Sequence, residues 1–154
     1  MSVESQWRFF GGPVLTLDGK GRVTVPSKWR DQVNEKLGGQ LVLCKDPAGC
    51  LGLYPPPVFN QLADVLMALT GEDADEWRRL YLGSQVELTI DNSSRILVPP
   101  ELRRWAGFKE EGGSVVFMGV GAYFELWDPD KSEVREAQVI AKGKPAALRD
   151  LVLQ

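Results

Sequence analysis

The sequence predicts an α+β fold in which two tandem repeats interleave into one β-barrel, with a helical insert between the repeats and a helical tail after them. Three observations lead there. A twelve-residue block recurs at a fixed offset, each copy sits in the same strand–turn–strand–helix context, and each repeat is too small to enclose a core alone.

The recurrence is direct. Leu15-Thr16-Leu17-Asp18-Gly19-Lys20-Gly21-Arg22-Val23-Thr24-Val25-Pro26 aligns with Leu88-Thr89-Ile90-Asp91-Asn92-Ser93-Ser94-Arg95-Ile96-Leu97-Val98-Pro99 at an offset of 73 residues. Arg30 and Arg103, Leu53-Tyr54 and Leu126-Trp127, and Pro56 and Pro129 keep that offset. A shared period over so many positions marks an internal duplication.

Each repeat opens with a strand of alternating faces, residues 14–17 and 86–90. A turn built from Asp, Gly, Asn and Ser follows, residues that bond to their own main chain or accept left-handed backbone. A second strand comes next, residues 22–25 and 95–98, so each pair reads as a hairpin. Pro26 and Pro99-Pro100 then open short helices, since a first turn does not need the missing N–H. Trp29, Val33 and Leu37 form the apolar stripe of the first helix, before Gly38-Gly39; Leu102, Trp105 and Ala106 form that of the second, stopped by Gly107. Two more strands close each repeat, residues 40–44 and 50–54, then 114–118 and 123–127.

Between the repeats, Val58, Phe59, Leu62, Val65, Leu66 and Leu69 outline one amphipathic helix, and residues 74–82 a second with Trp77, Leu80 and Tyr81 on one side. The tail reads as helices over 132–141 and 145–153, separated by a Lys-Gly-Lys-Pro break. The expected division is a first repeat over 8–56, an insert over 57–83, a second repeat over 84–130 and a tail over 131–154. Trp29, Trp77, Trp105 and Trp127 fall at stripe or strand positions, which favours core packing over base stacking.

Composition narrows the chemistry. With 44% hydrophobic and 25% charged residues in 154, the chain has the make-up of an ordinary soluble globular protein. Its start, MSVESQWRFFGG, lacks a basic segment followed by an apolar run, and no stretch has the roughly 18 apolar residues of a membrane span. A cytoplasmic chain is expected. There is no histidine, which excludes Ser-His-Asp and Cys-His nucleophile sites and the HExxH zinc helix. Cys44 and Cys50 have neither metal-hook spacing nor nitrogen partners, and read as half-buried thiols near a hairpin, a disulfide being the alternative. Phosphate-cradling glycine loops are missing too, so no catalytic residue, metal, cofactor or small-molecule substrate is expected. The net charge of −3 runs against the basic balance usual in nucleic-acid binders. The signs are segregated, however: residues 18–36 carry Lys20, Arg22, Lys28, Arg30 and Lys36, so a local basic face survives in an acidic whole.

A single Asp-x-x-x-Arg is ordinary turn chemistry, an exposed pair stabilising by ~0–1 kcal/mol. Its recurrence changes that, because Gly-Lys-Gly and Asn-Ser-Ser separate the two pairs and turn formation alone need not preserve Arg22 and Arg95. A guanidinium offers a planar fork suited to phosphate or to the O6/N7 edge of guanine, and Asp18 or Asp91 can hold that fork in one rotamer. Lys28, Arg30, Arg103 and Arg104 read either as a solvated helix face or as phosphate contacts. Two other classes stay open at this level: an architectural oligomer with the arginines bridging subunits, and a small barrel enzyme.

At these residues the chain resembles the MraZ family, itself similar to a fused pair of AbrB-like swapped-hairpin domains. The resemblance covers about residues 8–137 and rests on DGKGRVTVP at 18–26, DNSSRILVPPELR at 91–103, LYP at 53–55, WRRLYLG at 77–83 and FELWD at 124–128. It implies a nucleoid-associated transcriptional regulator of its own division and cell-wall gene cluster. It further implies a ring-like homo-oligomer that binds double-stranded promoter repeats through Asp18, Lys20, Gly21 and Arg22 and through Asp91 and Arg95. One departure stands out: Ser94 replaces the usual glycine before the arginine. If that position needs positive φ, Ser94 is modestly strained. The first loop, with Lys20 and Gly21, is expected to be the stronger DNA contact.

Overall fold

In a computed structural model that describes residues 7–154, the first repeat runs β1 (Phe9–Gly11), β2 (Val14–Leu17), β3 (Arg22–Thr24), α1 (Ser27–Leu37), β4 (Gln40–Lys45) and β5 (Leu51–Tyr54). Helices α2 (Pro56–Ala68) and α3 (Ala74–Tyr81) follow. The second repeat supplies β6 (Val86–Thr89), β7 (Arg95–Leu97), α4 (Pro100–Ala106), β8 (Gly113–Gly121) and β9 (Phe124–Trp127), and the tail α5 (Pro129–Lys142) and α6 (Ala146–Arg149). Residues 1–6, half of the MSVESQWRFFGG start, lie outside the described residues.

Helix boundaries follow the local chemistry. Proline occupies the first turn of α2, α4 and α5. Left-handed Gly38 (φ +62°) and Gly107 (φ +79°) end α1 and α4, their N–H groups capping carbonyls of the last turn. Asp128 caps α5 by accepting from the Lys131 N–H at 3.1 Å. The last helix is shorter than the 145–153 expected; Leu151, Val152 and Leu153 are exposed, and no packing extends α6 over them.

The strands form two antiparallel sheets, one of seven strands in the order β1-β8-β9-β5-β4-β6 with β2 also on β8, and a ribbon of β3 with β7. Five pairings cross between the repeats: β1 and β2 with β8, β4 with β6, β5 with β9 and β3 with β7. The duplication is visible in the register. Val23 lies opposite Ile96 and Gly52 opposite Glu125, so positions 73 apart face each other at the centres of two pairings.

Two expectations are corrected. The arms flanking each Asp-to-Arg turn do not ladder with one another as hairpins; each is claimed by a strand of the other repeat. Alternation along a strand specifies which face is buried but not which strand is the partner. Nor does the barrel close: among the described residues no pairing joins the β6 edge to the β1/β2 edge, and the ribbon stands as a separate sheet. Three-residue arms such as β3 and β7 are too short to bridge the remaining gap, and each turns directly into a helix through Pro26 or Pro99.

The core lies where the ribbon, α1 and α4 cover the large sheet. Phe9, Trp29, Phe117 and Phe124 form an aromatic cluster, with centroids 4.2 Å apart for Phe9–Phe124 and 5.0 Å for Trp29–Phe124. Val23, Val25, Ile96 and Val98 bury the inner face of the ribbon against the same cluster. Trp127 is buried and Trp105 partly buried, as expected, but Trp77 is 43% exposed on α3 and does not join the core. In the eight-residue α3, Tyr81 packs against the core and Arg78 donates to the Leu66 and Leu69 carbonyls, while the indole stays at the surface.

Candidate nucleic-acid interface

Each Asp-to-Arg turn is organised by its carboxylate. Asp18 Oδ1 accepts the backbone N–H groups of Lys20 and Arg22, both at 2.9 Å, and its Oδ2 accepts Arg22 Nε at 2.7 Å. Asp91 repeats the arrangement, with Ser93 N–H at 2.8 Å, Arg95 N–H at 2.9 Å and Arg95 Nε at 3.2 Å. Backbone bonds close both loops, from the Asp18 N–H to the Arg22 carbonyl (3.0 Å) and from the Asp91 N–H to the Arg95 carbonyl (2.9 Å). The donors leave their mark on acidity. The Arg22 N–H, helped by the Arg22 side chain and the Lys20 N–H, holds the Asp18 carboxyl down to about 2 against some desolvation. The Arg95 N–H lowers Asp91 likewise.

Because Nε is the atom tied to aspartate, the two Nη groups of each guanidinium have no acceptor among the described residues. The fork is therefore oriented and available. The ribbon register places Arg22 opposite Leu97 and Thr24 opposite Arg95. Side chains alternate along a strand, so Arg22, Thr24, Arg95 and Leu97 share the outward face while Val23 and Ile96, each 1% exposed, point inward. Diagonal neighbours on such a pair are about 7–8 Å apart. The two arginines thus belong to one surface.

The residue before each arginine has positive φ, +90° at Gly21 and +62° at Ser94, the latter unique among the described non-glycine residues. The expectation of a modestly strained Ser94 is met. Each loop is also tied to the opposite repeat: the Val98 N–H donates to the Gly21 carbonyl at 2.7 Å, and the Val25 N–H to the Ser94 carbonyl at 2.8 Å. A Cβ on Gly21 would lie 2.6 Å from the Val98 carbonyl oxygen and 2.9 Å from Arg103 Cζ. Arg103 is therefore packed behind the first loop, its Nε buried and unpartnered among the described residues. Arg30, its counterpart by the repeat, instead forks onto the Val25 carbonyl, with Nη2 at 3.0 Å. Lys28 lies over the Trp29 ring at 4.6 Å, and Lys20 is exposed at the tip of the first loop.

Thr24 and Leu97 were not singled out by the sequence reading, although the period-2 spacing from Arg22 and Arg95 already places them on the same face. A second gathering was also invisible in one dimension. Asp46, Cys50 and Glu125 bring ligand atoms within 4.8 Å of one another. Cys44 and Cys50 are free and fully buried rather than half-buried; burial raises the Cys44 thiol to about 12 and raises Cys50 further. Burial also raises Glu125, partly offset by the Trp127 indole N–H it accepts at 2.9 Å. Among the described residues, no helix is long and apolar enough to cross a membrane.

Comparison with known proteins agrees with the duplication. The family model described as "MraZ protein, putative antitoxin-like" matches twice, over residues 9–80 and 81–150. The chain is 41% identical over 142 residues to a protein of Methylibium petroleiphilum named transcriptional regulator MraZ, covering 92% of this chain and 94% of that one. Proteins of the same name from Burkholderia cenocepacia and Burkholderia mallei are each 40% identical, over 92% of this chain and 97% of theirs.

Proposed function

We propose, on the premise that the chain belongs to the MraZ family, that it is a transcriptional regulator that binds double-stranded DNA through its β3–β7 ribbon. The observation that carries this reading is the shared outward face on which Arg22 and Arg95 present free Nη groups, each held by an aspartate through Nε. A two-stranded ribbon fits the major groove, and a preoriented guanidinium can fork onto guanine or bridge phosphates. Lys20 adds a charge to the first loop, and Gly21 lets that loop turn without strain. Arg103 buttresses this loop, while Lys28 and Arg30 flank the ribbon as phosphate contacts.

In this reading the exchange of arms between repeats is the swapped hairpin of an AbrB-like pair, with repeat boundaries near residues 56, 83 and 130. The protein acts in the cytoplasm on the nucleoid, at promoter repeats of its own division and cell-wall gene cluster. A ring-like homo-oligomer presents several ribbons at once, gaining affinity through effective concentration without new contacts. That arrangement also reconciles an acidic chain with a DNA target, since only the ribbon rim needs to be positive.

The test is a fluorescence-anisotropy titration of duplex DNA from upstream of its own coding sequence, at several salt concentrations. Arg22→Ala and Arg95→Ala should each weaken binding and flatten the log–log salt slope by about 0.9 for every phosphate no longer neutralised. Arg22→Ala should be the more damaging. A double variant that binds like the parent would overturn the reading, and failure to assemble in Arg22→Ala would assign the arginines to subunit bridging instead.

A further inference from the structure

The outward face of the ribbon is symmetric in its arginines and asymmetric between them. Arg22 and Arg95 occupy equivalent positions of the duplication, as do Thr24 and Leu97, and the register alternates them across the pair: Arg22 beside Leu97, Arg95 beside Thr24. Leu97 is 51% exposed, on a strand whose inner neighbour Ile96 is 1% exposed. Leu97 stands outward beside a guanidinium with about half of its surface open, and among the described residues it is not one of those packed against the hydrophobic core.

We infer that Leu97 is a base-reading residue, lying against thymine C5-methyl groups when the arginines engage the duplex, while Thr24 makes a different and weaker contact in the other half. This rests on the DNA-binding reading above. Base edges in the major groove offer one apolar feature, the thymine methyl, and an aliphatic side chain between two forked arginines is the matching chemistry. The consequence is a binding site that approximates an inverted repeat where the arginines touch, but departs from symmetry at the inner steps. Its thymine preference falls on the side facing Leu97. The phosphate-neutralising charge is untouched by Leu97, so the contact contributes specificity without salt dependence.

The experiment uses a duplex enriched by the full-length protein from a random-sequence pool. Thymines are replaced one at a time by uracil, which removes only the methyl group. For the parent protein, uracil at the responsive position should weaken binding about fourfold, the factor one buried methyl group is worth. Leu97→Ala should bind the thymine duplex less tightly, lose the difference between thymine and uracil, and keep the parent salt slope. Thr24→Ala should leave the uracil response intact. If Leu97→Ala retains the full response, or no uracil position matters to the parent, the inference is overturned. A Leu97→Ala protein that changes oligomeric state by light scattering assigns the residue to a contact between copies and overturns it equally. Failure of the underlying reading looks different: no sequence is enriched, or the Arg22→Ala, Arg95→Ala double variant binds as the parent does.

Discussion

Replacing Gly21 by alanine should destabilise the fold by about 2–4 kcal/mol, far more than placing glycine at the equivalent Ser94. At φ +90°, alanine carries a backbone penalty of about 1–2 kcal/mol. Its stiffer unfolded chain offsets about 0.4–1 kcal/mol of that. The decisive contribution is steric. The added Cβ would sit 2.6 Å from the Val98 carbonyl oxygen, and that residue's own N–H is bonded to the Gly21 carbonyl at 2.7 Å. The neighbouring chain cannot retreat without stretching this bond, whose loss in a buried setting costs about 1–3 kcal/mol. Arg103, 2.9 Å away at Cζ, would have to move as well. Ser94→Gly is the converse. It relieves left-handed strain but loosens the unfolded chain by a similar amount, so it should fall within about 1 kcal/mol of the parent. Equilibrium urea unfolding at one fixed protein concentration measures both, as midpoint shifts at unchanged m-value. A Gly21→Ala protein within about 1 kcal/mol of the parent, or a Ser94→Gly protein losing as much as Gly21→Ala, would refute the account of how the first loop is seated.

Other outcomes rest on the same geometry. Ile96→Ala should cost about 2–5 kcal/mol, because the side chain is fully enclosed beneath the ribbon. In a double-mutant cycle it should couple to its cross-strand partner Val23 by about 0.5–3 kcal/mol, and simple additivity would contradict the pairing. The Asp18 carboxyl titrates at about 2 in the fold against an ordinary 3.8, so its bonds to the first loop are at full strength at neutral pH. They are lost only as pH falls from about 4 through about 2, the direction expected of a depressed acid. A side-chain NMR titration should show this, with Asp91 also below its ordinary value; a midpoint for Asp18 at or above 3.8 would contradict the hydrogen-bonded carboxylate.

Much of the candidate interface was legible in the chain because it is local. An aspartate four residues before an arginine, with turn formers between, can close its loop without help from elsewhere, and the bonds from Asp18 and Asp91 do that. Positive φ before the arginine was likewise readable from Gly21, and its cost from Ser94. The strand partners were not, since alternation constrains a face and leaves the neighbour open. Arg103, far from the first loop in sequence, meets Gly21 only through the crossing of the two repeats. Trp77 misled in the opposite way: a stripe position on a short helix left the indole partly exposed beside Tyr81 and outside the core.

By itself, then, the chain determined the duplication, the helices bounded by proline and glycine, and two self-contained loops that orient Arg22 and Arg95. Each of these depends on residues within a few positions of one another, where backbone stereochemistry and short-range hydrogen bonds dominate. Only the tertiary structure decided that the arms exchange partners between repeats, that the large sheet stays open, and that both arginines share one outward face with Thr24 and Leu97. Those outcomes depend on which apolar faces bury each other across a separation of about half the chain. Val23 and Ile96 have to meet over the aromatic core before Arg22 and Arg95 can stand on the same side of it.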